Sequence, residues 1–95
     1  MEILNTDLLD EFTARHTAAG KAIDAWRDHV SSANWNTPHD IKAMFRSADF
    51  LHGNHVIFNI KGNHYRIVVK VVYFNGLVIV KWVGTHAEYS RKKLN

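Results

Sequence analysis

The sequence predicts an α+β domain in which an N-terminal helical hairpin packs on one face of a small antiparallel β-sheet. Two changes along the chain carry this reading. Apolar residues recur at helical spacing through the first third, and from His55 the period shortens to two. The charge changes with it. Residues 1–50 hold five Lys/Arg and eight Asp/Glu, a balance of −3, whereas residues 51–95 hold seven Lys/Arg and only Glu88, a balance of +6. A sheet half with that excess is a candidate surface for a polyanion.

Each element follows from its own pattern. Glu2–Leu4 reads as a short edge strand or as the lead-in to a helix. Leu8, Leu9, Phe12 and His16 then share a helical face, with Thr6 or Asp7 as its cap and Gly20 as the break. A second helix carries Ala22, Ile23, Trp26, Val30 and Ala33 on one face and Asp24, Arg27 and Asp28 on the other. Thr37-Pro38-His39-Asp40 has the form of a helix start, with Thr as N-cap, Pro in the first turn and an acid three residues after the cap. That helix is expected to run to about Phe45, and residues 48–54 read as a loop around Gly53.

The sheet half begins with Val56, Phe58 and Ile60 alternating with Ile57 and Asn59. Residues 61–64 form a loop. In the next strand Tyr65, Ile67, Val69, Val71 and Tyr73 share one face, and Arg66, Val68, Lys70, Val72 and Phe74 the other. Asn75-Gly76 between two apolar runs predicts a two-residue type I′ turn into a third strand, 77–84. The three strands form a meander. A helical turn over residues 87–90 and a basic tail over 90–95 complete a single domain, 1–95.

Composition narrows the function. With 95 residues and 46% hydrophobic content, the chain is expected to form one modest core. It has no cysteine, hence no disulfide or thiolate metal site. No apolar run is long enough for a membrane span, and the acidic start is unlike a secretory signal, so a cytoplasmic location is expected. No phosphate-binding loop, dinucleotide fingerprint, nucleophile elbow or carboxylate pair is present. His52, His55 and His64 lack a further ligand at a characteristic spacing, which leaves a metal hydrolase as a remote reading.

What remains is a cationic sheet followed by a histidine. Arg66 and Lys70 point the same way from one strand. Lys81 is on the neighbouring strand, and alternation leaves open whether it joins them, since Ile79 and Val83 flank it. Cations so gathered would stabilise charge on phosphoryl oxygens. His86 is of the residue type suited to proton transfer near neutrality, and Tyr89 follows one helical turn later. Equally, such residues can be a solvated surface. Trp26 reads as core, and Trp35 and Trp82 as core or as platforms for a partner.

The run VIFNIKGNHYRIVVKVVYFNGLVIVKWVGTHAEY, with FNIKGNHYRIVV and THAEY as its marks and TPHDIKAMF before it, resembles the HigB branch of the RelE-like toxins. The resemblance is good from about Thr37 to Tyr89 and weak in the first 35 residues. It implies the RelE-like fold and an mRNA interferase that acts on translating ribosomes without metal or cofactor. The RNA 2′-hydroxyl attacks the adjacent phosphate, leaving a 2′,3′-cyclic phosphate and a 5′-hydroxyl. It also implies neutralisation by a HigA-type helix-turn-helix antitoxin, with operator DNA bound only through the toxin–antitoxin complex and no membrane partner. Carried over, Arg66 and Lys81 would stabilise the phosphate, His86 would act as acid or base, and Tyr89 would stack on a base or assist catalysis. Lys61, Asn63, Lys70, Arg91, Lys92 and Lys93 would contact RNA. Relatives often carry an acid directly after the tyrosine, where this chain has Ser90. The alternative is a non-catalytic RNA-binding or protein-interaction module on the same fold.

Overall fold

The computed structural model describes residues 1–92. In chain order it contains β1 (Glu2–Leu4), α1 (Thr6–Arg15), α2 (Gly20–Ser32), α3 (Pro38–Met44), β2 (Asp49–Leu51), β3 (His55–Ile60), β4 (Tyr65–Val72), β5 (Leu77–Thr85) and α4 (His86–Lys92). The strands form one sheet in the order β1-β5-β4-β3-β2. The expected meander, β3-β4-β5, is its antiparallel centre. Two short strands extend it: β2 pairs antiparallel with β3, and β1 lies parallel to β5. The architecture is α+β with the helical hairpin on one face, as the sequence predicts.

The core lies between that hairpin and the inner face of the sheet. Leu9, Phe12, Ile23, Trp26 and Val30 come down from α1 and α2 onto Val56, Phe58, Ile60, Ile67, Val69, Val71, Val78 and Val80. Phe58 is the centre of an aromatic group: Trp26 and Phe45 meet it edge-on at 5.3 and 5.0 Å, and Trp35 stacks on it at 6.1 Å. Such pairs contribute about 0.5–1.5 kcal/mol each beyond the area they bury. Trp26 and Trp35 are therefore both core.

The helix start at Thr37 forms as expected. The Thr37 hydroxyl accepts from the Asp40 amide at 3.3 Å, and the Asp40 carboxylate accepts from the Thr37 amide at 3.1 Å. These backbone hydrogen bonds, foremost one from Asn36, hold the Asp40 carboxyl below its ordinary pKa.

Four local expectations are corrected. The cap of α1 is Asn5, not Thr6 or Asp7. It sits in the left-handed region at φ 63° and uses its side chain to donate to the Val80 carbonyl at 3.1 Å, tying β1 to β5. The chain reverses through a 3-10 turn at Thr17–Ala19, so Gly20 is the first residue of α2 rather than the break. A Cβ there would come within 3.2 Å of the Thr13 methyl, so glycine permits the helices' close approach. Residues 48–54 are not all loop, because β2 lies within them. Finally, β4 and β5 are not joined by a type I′ turn. Val72 pairs with Leu77, and Tyr73–Asn75 make a 3-10 turn closed by Gly76 at φ 66°. Phe74 thus leaves the strand and is exposed at the loop tip. Only Gly76 takes positive φ in this loop, whereas a type I′ turn needs two such residues.

Candidate active site

The outer face of the sheet carries the residues of interest, and pairing fixes which ones point outward. Ile67, Val69 and Val71 face the core, so Arg66, Val68, Lys70 and Val72 face out. Directly opposed residues share a face, which adds Asn59 opposite Arg66, and His55 opposite Lys70.

Lys81 depends on an irregularity. Val80 and Val83 both pack toward the core, and an unbroken alternation forbids that. The register shows how it happens: Val68 pairs with Trp82 and Val69 with Val80, so Lys81 has no opposite residue. This is a β-bulge. Lys81 and Trp82 consequently both lie on the outer face, and Lys81 is exposed. The bulge brings Lys81 to the same face as Arg66 and Lys70, the question alternation left open.

At the end of β5 the chain enters α4 through a capping box. The Glu88 amide donates to the Thr85 hydroxyl at 3.1 Å, and the Thr85 amide donates to the Glu88 carboxylate at 2.8 Å. The hydrogen bond from the Thr85 backbone is the largest cause that holds the Glu88 carboxyl below its ordinary pKa; His16 and Arg15 add to it. The T-x-x-E spacing of residues 85–88 is a sequence signal for a helix start that the expected turn over 87–90 did not use. Helix α4 begins one residue earlier than the expected turn and runs to Lys92, so residues 90–92 are helical rather than tail. Lys93 lies outside the described residues.

The capping box fixes His86 as the first residue of α4, exposed, with its amide donating to the His64 carbonyl at 3.0 Å. One turn on, the Ser90 hydroxyl donates to the His86 carbonyl at 3.0 Å and stands 3.4 Å from Nδ1 of the ring. With its proton on the carbonyl, that oxygen can only accept from Nδ1–H. The tautomer that uses both contacts leaves the lone pair on Nε2, facing away.

Tyr89 turns onto the outer face. The Arg66 guanidinium lies over its ring, 4.8 Å from the centroid, and the Trp82 ring meets it at 5.9 Å and 55°. Gly84, opposite Arg66, makes the room: a Cβ there would fall 2.5 Å from two Trp82 ring atoms. Arg66, Tyr89 and Trp82 therefore form one packed group, with His86 three residues before Tyr89 on the same helix and Lys81 beside Trp82. Gly84 and Asn59 were not singled out as site residues from the sequence, and Trp82 only as core or a platform for a partner, because only the strand pairing brings them to Arg66.

The remaining candidates are dispersed. Lys61 reaches the turn between α1 and α2, where its ammonium donates to the Ala18 carbonyl at 3.3 Å. Asn63 is exposed in the β3–β4 loop, Lys70 is half-buried further along β4, and Arg91 is exposed on α4. Lys92 closes α4. His52 and His55 meet through a carbonyl at 2.9 Å from Nδ1 of His55, and among the described residues no three His, Asp or Glu side chains gather as metal ligands. Among the same residues no helix is long and apolar enough to cross a membrane.

Comparison with known proteins bears on what this arrangement is. No curated protein matches the chain. A family model does, over residues 19–92: that of the HigB toxin, the RelE-like toxic component of a toxin–antitoxin system. The match takes in α2, α3, the four strands β2–β5 and α4, which is the whole of the candidate site. The chain belongs to the HigB toxin family.

Proposed function

We propose that this toxin is a ribosome-dependent mRNA endonuclease whose site is the group Arg66, Lys81, His86 and Tyr89. The observation that carries the reading is the Arg66 guanidinium held under the Tyr89 ring, on the same face as Lys81 and next to an exposed histidine at a helix start. The reaction is a transesterification. The RNA 2′-hydroxyl attacks the adjacent phosphorus, its proton is removed, and the P–O5′ bond breaks as the leaving oxygen gains a proton. The products are a 2′,3′-cyclic phosphate and a 5′-hydroxyl.

The residues match those needs. Arg66 and Lys81 oppose the charge that grows on the non-bridging oxygens. His86 presents Nε2 for one of the proton transfers, its ring oriented by Ser90. Ser90 is a neutral partner at the position where the resemblance implies an acid. Lys70, Asn63, Arg91, Lys92, Lys93 and Lys61 supply phosphate contacts to mRNA and ribosomal RNA. The family has an antitoxin partner, here of the HigA helix-turn-helix type, which would carry the complex to operator DNA.

The test is induced expression followed by primer extension on ribosome-bound mRNA. New 5′ ends bearing hydroxyl groups are expected with the natural chain. Arg66→Ala and His86→Ala should each lower cleavage by about 100-fold or more and relieve growth arrest while remaining folded. Ribosome binding without new 5′ ends would favour a non-catalytic RNA-binding module. Full cleavage by both folded variants would overturn the site assignment.

A further inference from the structure

We infer that Asn59 is the positioning residue of Arg66, taking the guanidinium's Nε–H on its side-chain carbonyl; this rests on the reading of Arg66 as the phosphate clamp. Asn59 and Arg66 are directly opposed on β3 and β4, so their side chains rise from the same face. Each has one buried atom without a hydrogen-bond partner: Oδ1 of Asn59, an acceptor, and Nε of Arg66, a donor. Among the described residues, the other such atoms are the indole nitrogens of Trp26 and Trp35, deep in the core. A buried donor and a buried acceptor left open on paired residues are complementary, and leaving both unmade is costly.

The orientation of the amide is settled by its other contact. Nδ2 of Asn59 donates to the Ser47 carbonyl at 2.8 Å. A carbonyl can only accept, so the nitrogen belongs on that side and Oδ1 on the other. Ser47 precedes β2, on one side of β3, and Arg66 is on β4, on the other side. The amide is thus anchored on the Ser47 backbone on one side of β3, and its oxygen is left open for a donor from the other.

The consequence falls on the guanidinium. Its Nε–H is tied to Asn59 and its face is covered by the Tyr89 ring. The donors left over are on the two Nη atoms, whose edge suits a phosphate in bidentate fashion. Without Asn59 the plane of the guanidinium is free to turn beneath Tyr89, and the Nη edge is no longer aimed.

Two measurements test this. In ribosome-dependent cleavage, Asn59→Leu should lower kcat/KM by about 10- to 100-fold when Arg66 is present. It should change little in an Arg66→Lys background, because lysine has no Nε–H in a guanidinium plane. Equal losses in both backgrounds would overturn the inference. If Arg66→Lys is itself as active as the natural chain, an aimed guanidinium is not needed and the inference fails; if Arg66→Ala keeps full cleavage, the phosphate-clamp reading fails instead. The second measurement needs no activity. In the 15N-labelled protein, the Arg66 Nε–H resonance, identified by its absence in Arg66→Lys, should exchange slowly with solvent. It should exchange fast in Asn59→Leu and slowly again in Asn59→Asp, which keeps an acceptor. Exchange equally fast in the natural chain and in Asn59→Leu refutes the bond.

Discussion

The ring of Tyr89 holds Arg66 against one face and meets Trp82 at an angle, which constrains the roles open to it. A ring so placed holds a guanidinium by cation–π attraction, about 0.5–1 kcal/mol at a partly exposed site. Its hydroxyl is a separate matter, and two substitutions divide the contributions. Tyr89→Phe keeps the ring over Arg66 and should retain cleavage within a few-fold. Tyr89→Ala removes it and should cost about tenfold. If Phe is as damaging as Ala, single-turnover cleavage will have assigned the hydroxyl a direct part in the chemistry. Arg66 and Lys70 were legible from the sequence, since alternation on β4 is unbroken. Lys81 was not, because one unpaired residue between Val80 and Trp82 resets the parity of β5, and a bulge has no sequence signature as plain as a turn. Trp82 is half-buried while Trp26 and Trp35 are core, so changes in tryptophan fluorescence on RNA binding should arise at Trp82.

Helix α4 has seven residues and is anchored at its start by a single capping box. A helix so short has little stability of its own. Thr85→Ala should cost about 1 kcal/mol of local stability and free His86 to wander. Cleavage is therefore expected to fall further than the thermal midpoint does, a comparison that calorimetry and kinetics make directly. Acid should act on the same element. The folded Glu88 carboxyl titrates below its unfolded value, so its contribution is present above the ordinary carboxylate pKa and is lost as pH falls through the folded one. Glu88 is exposed and the effect correspondingly small. Amide resonances of residues 85–88 should show α4 fraying in mild acid, and Glu88→Gln should remove that pH dependence. The other elements divide in the same way. The long helix α2 and the strands β3–β5 were legible because period and length agree. Strands β1 and β2, of three residues each, are too short to show a period and exist because a neighbouring strand offers hydrogen bonds.

Across the whole molecule, the inner face of the sheet sustains the fold and the outer face carries the proposed site. Phe58 joins three other aromatic rings in the core. Phe58→Ala should cost about 3–5 kcal/mol, a large part of the roughly 5–15 kcal/mol typical of a small domain. It should abolish toxicity by unfolding, with loss of the cooperative melt, whereas Arg66→Ala should abolish it with the melt retained. Ribosome affinity should fall steeply with salt, as phosphate contacts by the basic half require. The sequence by itself determined the two-layer α+β plan, the core faces of α1, α2 and β4, the cationic half, and the residues that mark the family. Those follow from periodicity and composition, which are properties of neighbouring residues. Only the tertiary structure decided that Lys81 joins Arg66, that Gly84 makes room for Trp82, that Ser90 meets His86, and that Asn59 faces Arg66. Two of these, Lys81 and Asn59, depend on which residues stand opposite each other across β3, β4 and β5, and strand register is set by hydrogen bonds between segments distant in the chain. Gly84 makes room because the Trp82 ring folds back along its own strand. The contact of Ser90 with His86 depends instead on α4 persisting for a full turn beyond its cap.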